Sequence, residues 1–277
     1  MPGSTPYKTV AVASTFSPRF VHVLAEAKRI RDRFDAELDL IYVGDRTDET
    51  VHRFGEALGE LGLPLDSRVY YESGDPADSI LTAIRKHKVD LIVAGALEKE
   101  VVFHPFLGDV ARRLVREAAS SVMLFTRPET EPKPLRRIVF VAGDSYSEKS
   151  IAALQLVFHL AAAEAVEKVF VIRVVTTFEE ARASRKNRKQ GKAVPDRQSE
   201  EEAALEKFVL SAGQTQVPIE IRYIRGNTGF AAADFVQSIE ADLLVVSLPL
   251  PSTGEPGLPA NMAWLTDVIP CNLWVIR

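Results

Sequence analysis

Two short passages of this chain are written twice. Gly74-Asp75-Pro76-Ala77 is followed by the apolar run Asp90-Leu91-Ile92-Val93-Ala94-Gly95. Gly226-Asn227-Thr228-Gly229 and Asp242-Leu243-Leu244-Val245-Val246-Ser247 repeat both, each displaced by 152 residues. A run of this length, apolar without alternation, reads as a strand covered on both faces. A glycine turn with proline or threonine behind it reads as a helix start. A pair of such signals recurring at one spacing means that a single α/β unit is present in two copies. With 277 residues, each copy has the size of an ordinary domain.

The rest of the chain fills in both copies. Val10-Ala11-Val12-Ala13 is a first strand, and Phe20, Val23, Leu24, Ala27, Ile30 and Phe34 mark the apolar face of a helix behind it. Leu38 to Val43 is a second strand, Glu49 to Leu61 a helix, and Arg68 to Tyr71 a third strand. Val110 to Glu117 is a short helix and Val122 to Phe125 a fifth strand. Strands alternating with helices of ten to fifteen residues imply parallel β-α-β units with helices on both faces. Residues 128–137, rich in proline and charge, read as a linker between a first domain at 1–127 and a second at 138–277. The second domain begins with the strand Val139 to Ala142. It carries an insertion at 176–199, which is why the first strands are displaced by only about 129 residues.

The order of a strand, a serine-bearing turn and a helix, then Gly-x-Pro-Ala, then Val89 to Gly95, then Gly108 opening a helix before a last strand resembles the universal stress protein family in its tandem form, from about Tyr7 to Arg277. The resemblance implies two tandem five-stranded parallel-sheet sandwiches, Rossmann-like and similar to the adenine nucleotide alpha hydrolases. It further implies an intrachain pseudo-dimer with Val122 to Phe125 beside Leu273 to Ile276. One branch of the family binds ATP through Gly-x2-Gly-x9-Gly-Ser/Thr after the fourth strand, with an aspartate after the first strand reaching the adenine side. Ala13, Thr15, Val43, Gly95, Gly108, Asp109 and Val110 of the first repeat, with Asp144 of the second, stand at positions of that ATP site.

Three of the five signature positions of the first repeat depart from the pattern. Glu98 replaces the second glycine, Asp109 the hydroxyl residue, and Thr15 the aspartate. A carboxylate beside the phosphates and another on a helix N-terminus oppose a triphosphate, since like charges about 4 Å apart near a protein surface repel by a few kcal/mol. Asp109 reads as an N-cap, a place where aspartate is among the best residues. In the second repeat Asp144 fits the adenine-side position. Ser247 replaces the first glycine, and four prolines in the loop behind it supply no N–H donors.

A net charge of −4 offers nucleic acid and acidic membranes no global attraction. The single cysteine, Cys271, excludes an intrachain disulfide, and no apolar run nears about 18 residues. A cytoplasmic protein is expected. The five histidines are scattered without metal spacing, with His104 nearest the crevice. Six basic residues between Arg182 and Lys192, without interleaved aromatics, read as a solvated loop beside Glu200, Glu201 and Glu202; the competing reading is a nucleic-acid patch. The expectation is a non-catalytic regulatory protein with no cofactor and a degenerate nucleotide pocket. A protein partner or a second copy of the chain would be its target. The alternative is a switch binding ATP or AMP with slow or no hydrolysis.

Overall fold

A computed structural model of the chain describes residues 7–96, 107–143, 145–176, 197–251, 258, 260–266 and 269–277. Glu98, His104, Asp144 and the basic run at 182–192 lie outside the described residues. The chain divides into two compact units. One comprises Met1–Pro134 with Leu248–Leu258 and Thr266–Arg277, the other Leu135–Ser247 with Pro259–Leu265.

The first unit runs β1 (Thr9–Ser14), α1 (Phe20–Phe34), β2 (Glu37–Val43), α2 (Asp48–Glu60), β3 (Val69–Glu72), α3 (Pro76–Lys86), β4 (Leu91–Gly95), α4 (Asp109–Glu117) and β5 (Ser121–Phe125). Its five parallel strands lie in the order β3-β2-β1-β4-β5. The chain's last strand, β10 (Asn272–Ile276), joins this unit antiparallel to β5, with Trp274 opposite Met123. That is the neighbourhood implied for Val122 to Phe125 and Leu273 to Ile276. Trp274, Phe34 and Tyr7 form a buried edge-to-face cluster there, with ring centroids 5.0 to 6.3 Å apart.

The second unit runs β6 (Arg137–Ala142), α5 (Glu148–Ala163), β7 (Lys168–Val175), α6 (Arg197–Ser211), β8 (Ile219–Arg225), α7 (Thr228–Ser238) and β9 (Leu243–Ser247). Its strands are parallel in the order β9-β6-β7-β8. The fifth in sequence, β10, is in the first unit. The proline-rich stretch leads into a 3-10 helix, Ala260–Thr266, instead of a full α-helix.

Local chemistry explains the element ends. Thr47 accepts from the Thr50 amide while the Thr50 hydroxyl accepts from the Thr47 amide, a reciprocal cap on α2. Asp75 caps α3 through the Asp78 amide, with Pro76 in the first turn, and Ser147 caps α5 through the Ser150 amide. The repeated Asp of the two apolar strands has one job in both units. Asp90 Oδ2 accepts from the amides of Lys8 and Thr9 at 2.8 and 3.0 Å, and Asp242 Oδ2 from those of Arg136 and Arg137 at 2.7 and 2.8 Å. Each carboxylate thus ties down the start of the neighbouring first strand. Lys88 and Glu240, again 152 residues apart, leave α3 and α7 at φ 54° and 49°, the left-handed exit that glycine usually supplies.

Candidate functional site

In a doubly wound sheet the crevice forms where neighbouring strands lead to opposite faces, outside their carboxyl ends. In the first unit that is the β1/β4 junction. Val12 pairs with Val93, and Ser14 with Tyr42 on the other side. The register therefore places Ala13, Ser14 and Thr15 level with Ala94 and Gly95 on one flank and with Tyr42 and Val43 on the other.

The described positions of the expected site differ in exposure and in partners. Ser14 is buried and its hydroxyl donates to its own strand, to Val12 O at 3.2 Å. Thr15 is exposed, and Ala13 and Val43 are half-buried. Gly95 packs closely on α1, where a Cβ would come 3.0 Å from Val23 Cγ2 and push it by a few tenths of an ångström. The next amide, Ala96 N, donates to Phe125 O at 2.9 Å, so the strand exit is closed onto β5. Gly108, not Asp109, is the N-cap of α4, in an extended conformation with no side chain to receive an amide. Asp109 is the first helical residue, exposed, and acts on the helix N-terminus through its charge alone. Val110 behind it is half-buried.

The turn after β1 enters an aromatic cluster that the sequence reading missed. Phe16, in the turn after β1, lies 4.7 Å from Phe54 of α2, 5.0 Å from Tyr42 of β2 and 5.9 Å from Phe20 of α1. Phe54 in turn meets Tyr71 of β3 edge to face, and the Arg53 guanidinium sits 4.0 Å over the Phe16 ring. An aromatic residue directly behind the strand, among the serines and threonines that drew attention, was the available signal.

The second unit uses the same device. Tyr146, in the turn after β6, stacks on Phe208 of α6 at 4.8 Å, and Phe208 on Phe140 of β6 at 6.1 Å. Gly143 ends β6 with open space where a Cβ would stand, and Ser247 is half-buried at the end of β9. At the start of α7, a Cβ on Gly229 would meet the Trp264 side chain at 2.7 Å, so the indole lies directly on this helix N-terminus.

The corresponding helix start in the first unit is held by charge. Arg113 of α4 reaches Asp75 at 3.2 Å, Asp78 at 2.5 Å and Glu117 at 3.0 Å. Hydrogen bonds to Glu117 and Asp78 hold its guanidinium above the ordinary arginine range. Arg277, by contrast, donates to Pro249 O and Val115 O. Burial pushes it down to about 10. Among the described residues no group of three or more His, Cys, Asp or Glu could hold a metal ion, and no helix is long and apolar enough to cross a membrane.

Comparison with known proteins agrees with this architecture. Residues 56–126 match the model of the universal stress protein family. A universal stress protein of Methanocaldococcus jannaschii is 25% identical over 151 residues, covering 47% of this chain and 88% of that protein. A universal stress protein from Archaeoglobus fulgidus superposes on 99% of this chain and 98% of its own length, with a TM-score of 0.64 at 12% identity. A Pseudomonas aeruginosa protein of unknown function covers 98% of this chain and 93% of its own, with a TM-score of 0.69 at 13% identity. The match to the universal stress protein family model thus runs from the end of α2 through β5, and the fold of the solved structures is shared over both units.

Proposed function

We propose that this chain is a non-catalytic, regulatory universal stress protein whose nucleotide site has been replaced by its own side chains. The observation that carries this reading is Phe16, in the turn after β1, whose ring lies against Phe54 and Tyr42 under the Arg53 guanidinium. Two further features support it. Val23 packs against Gly95, and Asp109 occupies the α4 N-terminus with a negative charge. Phosphoryl transfer depends on positioning and charge stabilisation, and this crevice offers a triphosphate a carboxylate in place of a donor. Isothermal titration of the full chain with ATP and with AMP should give no saturable heat. A Kd tighter than about 100 μM, roughly −5.5 kcal/mol, overturns the proposal.

A second reading keeps an adenine nucleotide in the second unit alone, and the open space at Gly143 favours it. It predicts nucleotide released on denaturing the purified protein, and loss of that nucleotide in Asp144→Ala. Absence of released nucleotide removes this reading and leaves the first.

A further inference from the structure

We propose that the groove between α2 and β3 of the first unit receives an extended peptide segment of a partner protein, which adds as a strand to β3 and places apolar side chains against α2. Among the described residues, β3 pairs with β2 alone. Arg68 O accepts from the Leu40 amide and Glu72 O from the Gly44 amide, both at 2.8 Å. In a parallel ladder alternate residues bond to the same side. Residues 68, 70 and 72 therefore face β2, and the N–H and C=O groups of Val69 and Tyr71 face outward. The side chains of those two residues line a cavity of about 290 Å³, together with Phe54, Gly55 and Leu58 of α2 and Leu65 of the following loop. An open edge and an apolar groove thus share residues. That combination gives main-chain affinity and side-chain selectivity at once.

Three further observations belong to the same place. Leu65 is 70% exposed and Val51, also on the groove, 43% exposed, so large apolar side chains stand uncovered at its rim. Gly55 is in the interior of α2, where glycine is the poorest residue short of proline, although a Cβ there would meet nothing within 4 Å. Its absence of side chain keeps the groove open and serves no internal packing. Arg46 lines the mouth and has no ion pair with any described residue, which selects an acidic side chain at one end of the segment. The edge strand of the second unit is different. β8 carries Glu220, Arg222 and Arg225, with Glu220 paired to Lys168 at 2.8 Å and Arg222 at 2.5 Å, the charged dressing by which edges are kept from pairing.

The test uses the full chain and a fluorescein-labelled octapeptide of alternating Val and Thr with two Asp residues at one end. Fluorescence anisotropy should show saturable binding below 1 mM, and hydrogen exchange should slow at the amides of Val69 and Tyr71. Two versions of the peptide, each N-methylated on one alternate set of amides, separate strand addition from simple apolar contact. One should lose at least tenfold in affinity and the other less than twofold. Gly55→Leu puts bulk into the groove from a Cβ that would meet nothing within 4 Å, and leucine suits a helix. It should retain the parent's unfolding midpoint and bind at least tenfold more weakly, while Arg46→Ala weakens binding severalfold in low salt. No binding at 1 mM, equal binding of both methylated peptides, or unchanged binding to Gly55→Leu overturns the proposal. So does a concentration-dependent dimer, seen by light scattering without peptide and abolished by Gly55→Leu, which would make a second copy the occupant. ATP titration reads the crevice and this assay the groove, so either can fail without the other.

Discussion

Arg113 and Trp264 stand at matching places in the two repeats, 151 residues apart, each followed by a fully buried leucine, Leu114 or Leu265. Both fasten the start of the helix that precedes the repeat's fourth strand. Arg113 does so through Asp75 and Asp78 at the start of α3, and Trp264 by lying on Gly229 at the start of α7. The contact is the same and its chemistry is opposite. At the strand clamps the chemistry is identical instead, with Asp90 and Asp242 each accepting from two main-chain amides. The difference has a physical origin. Main-chain N–H groups donate and so require an acceptor such as a carboxylate oxygen, whereas a side chain facing another side chain can change together with it.

The clamps should therefore give the largest and most equal effects. Hydrogen bonds to a charged group contribute about 1.5 to 3 kcal/mol, and removing the carboxylate leaves two amides to find other partners. Asp90→Ala and Asp242→Ala should each cost about 3 kcal/mol. The chain's two tryptophans report the units separately, since Trp274 is in the first and Trp264 in the second. In urea unfolding followed by fluorescence of Trp→Phe variants, Asp90→Ala should lower the midpoint seen by Trp274 and Asp242→Ala that seen by Trp264. A cost under about 0.5 kcal/mol at either site breaks the equivalence.

The helix starts should separate in their response to salt. Gly229→Ala forces a Cβ to within 2.7 Å of Trp264, and overpacking of this kind costs about 2 kcal/mol. Arg113→Leu removes three ion pairs whose carboxylates are 42% to 67% exposed, which limits the loss to about 1 kcal/mol. In 1 M NaCl the Arg113→Leu difference should shrink to nearly nothing while the Gly229→Ala difference stays. Equal salt sensitivity would show that the two fastenings do not differ in kind.

The repeat made most of the fold readable, because period and glycine position are local signals. Asp90 and Asp242 stood out as part of the repeated text, although their partners, the amides opening β1 and β6, are visible only once the strands are paired. The pairing of β10 with β5 was implied by the family resemblance and not by any spacing, because it is a long-range contact. The crevice was less readable. Gly95 was noticed as a ligand position, yet its constraint comes from Val23 on another element. Asp109 suggested a cap, but it is the first helical residue and the cap is one residue earlier, at Gly108. Phe16 looked like an ordinary turn residue because its partners Tyr42 and Phe54 lie far along the chain.

The smallest effect should appear at high pH and in one unit only. Tyr7 of the first unit and Leu135 of the second both precede a first strand and are buried. The Tyr7 hydroxyl donates to Ser121 Oγ at 2.9 Å, and burial pushes the phenol well above the ordinary tyrosine range. The unfolded chain ionises at this residue near pH 10, whereas the native state keeps its proton. Above that pH the unfolded state binds fewer protons than the native state, so stability falls as pH rises. Below it the contribution is fully present. Tyr7→Phe should cost about 1 kcal/mol at neutral pH for the lost hydrogen bond, and progressively less as pH climbs from about 10 to 11.5. The midpoint read by Trp274 should then depend less steeply on pH in the variant, with that read by Trp264 unaffected because Leu135 has nothing to ionise. A parallel shift of wild type and variant across that range would mean that Tyr7 is already ionised, or equally protonated, in both states.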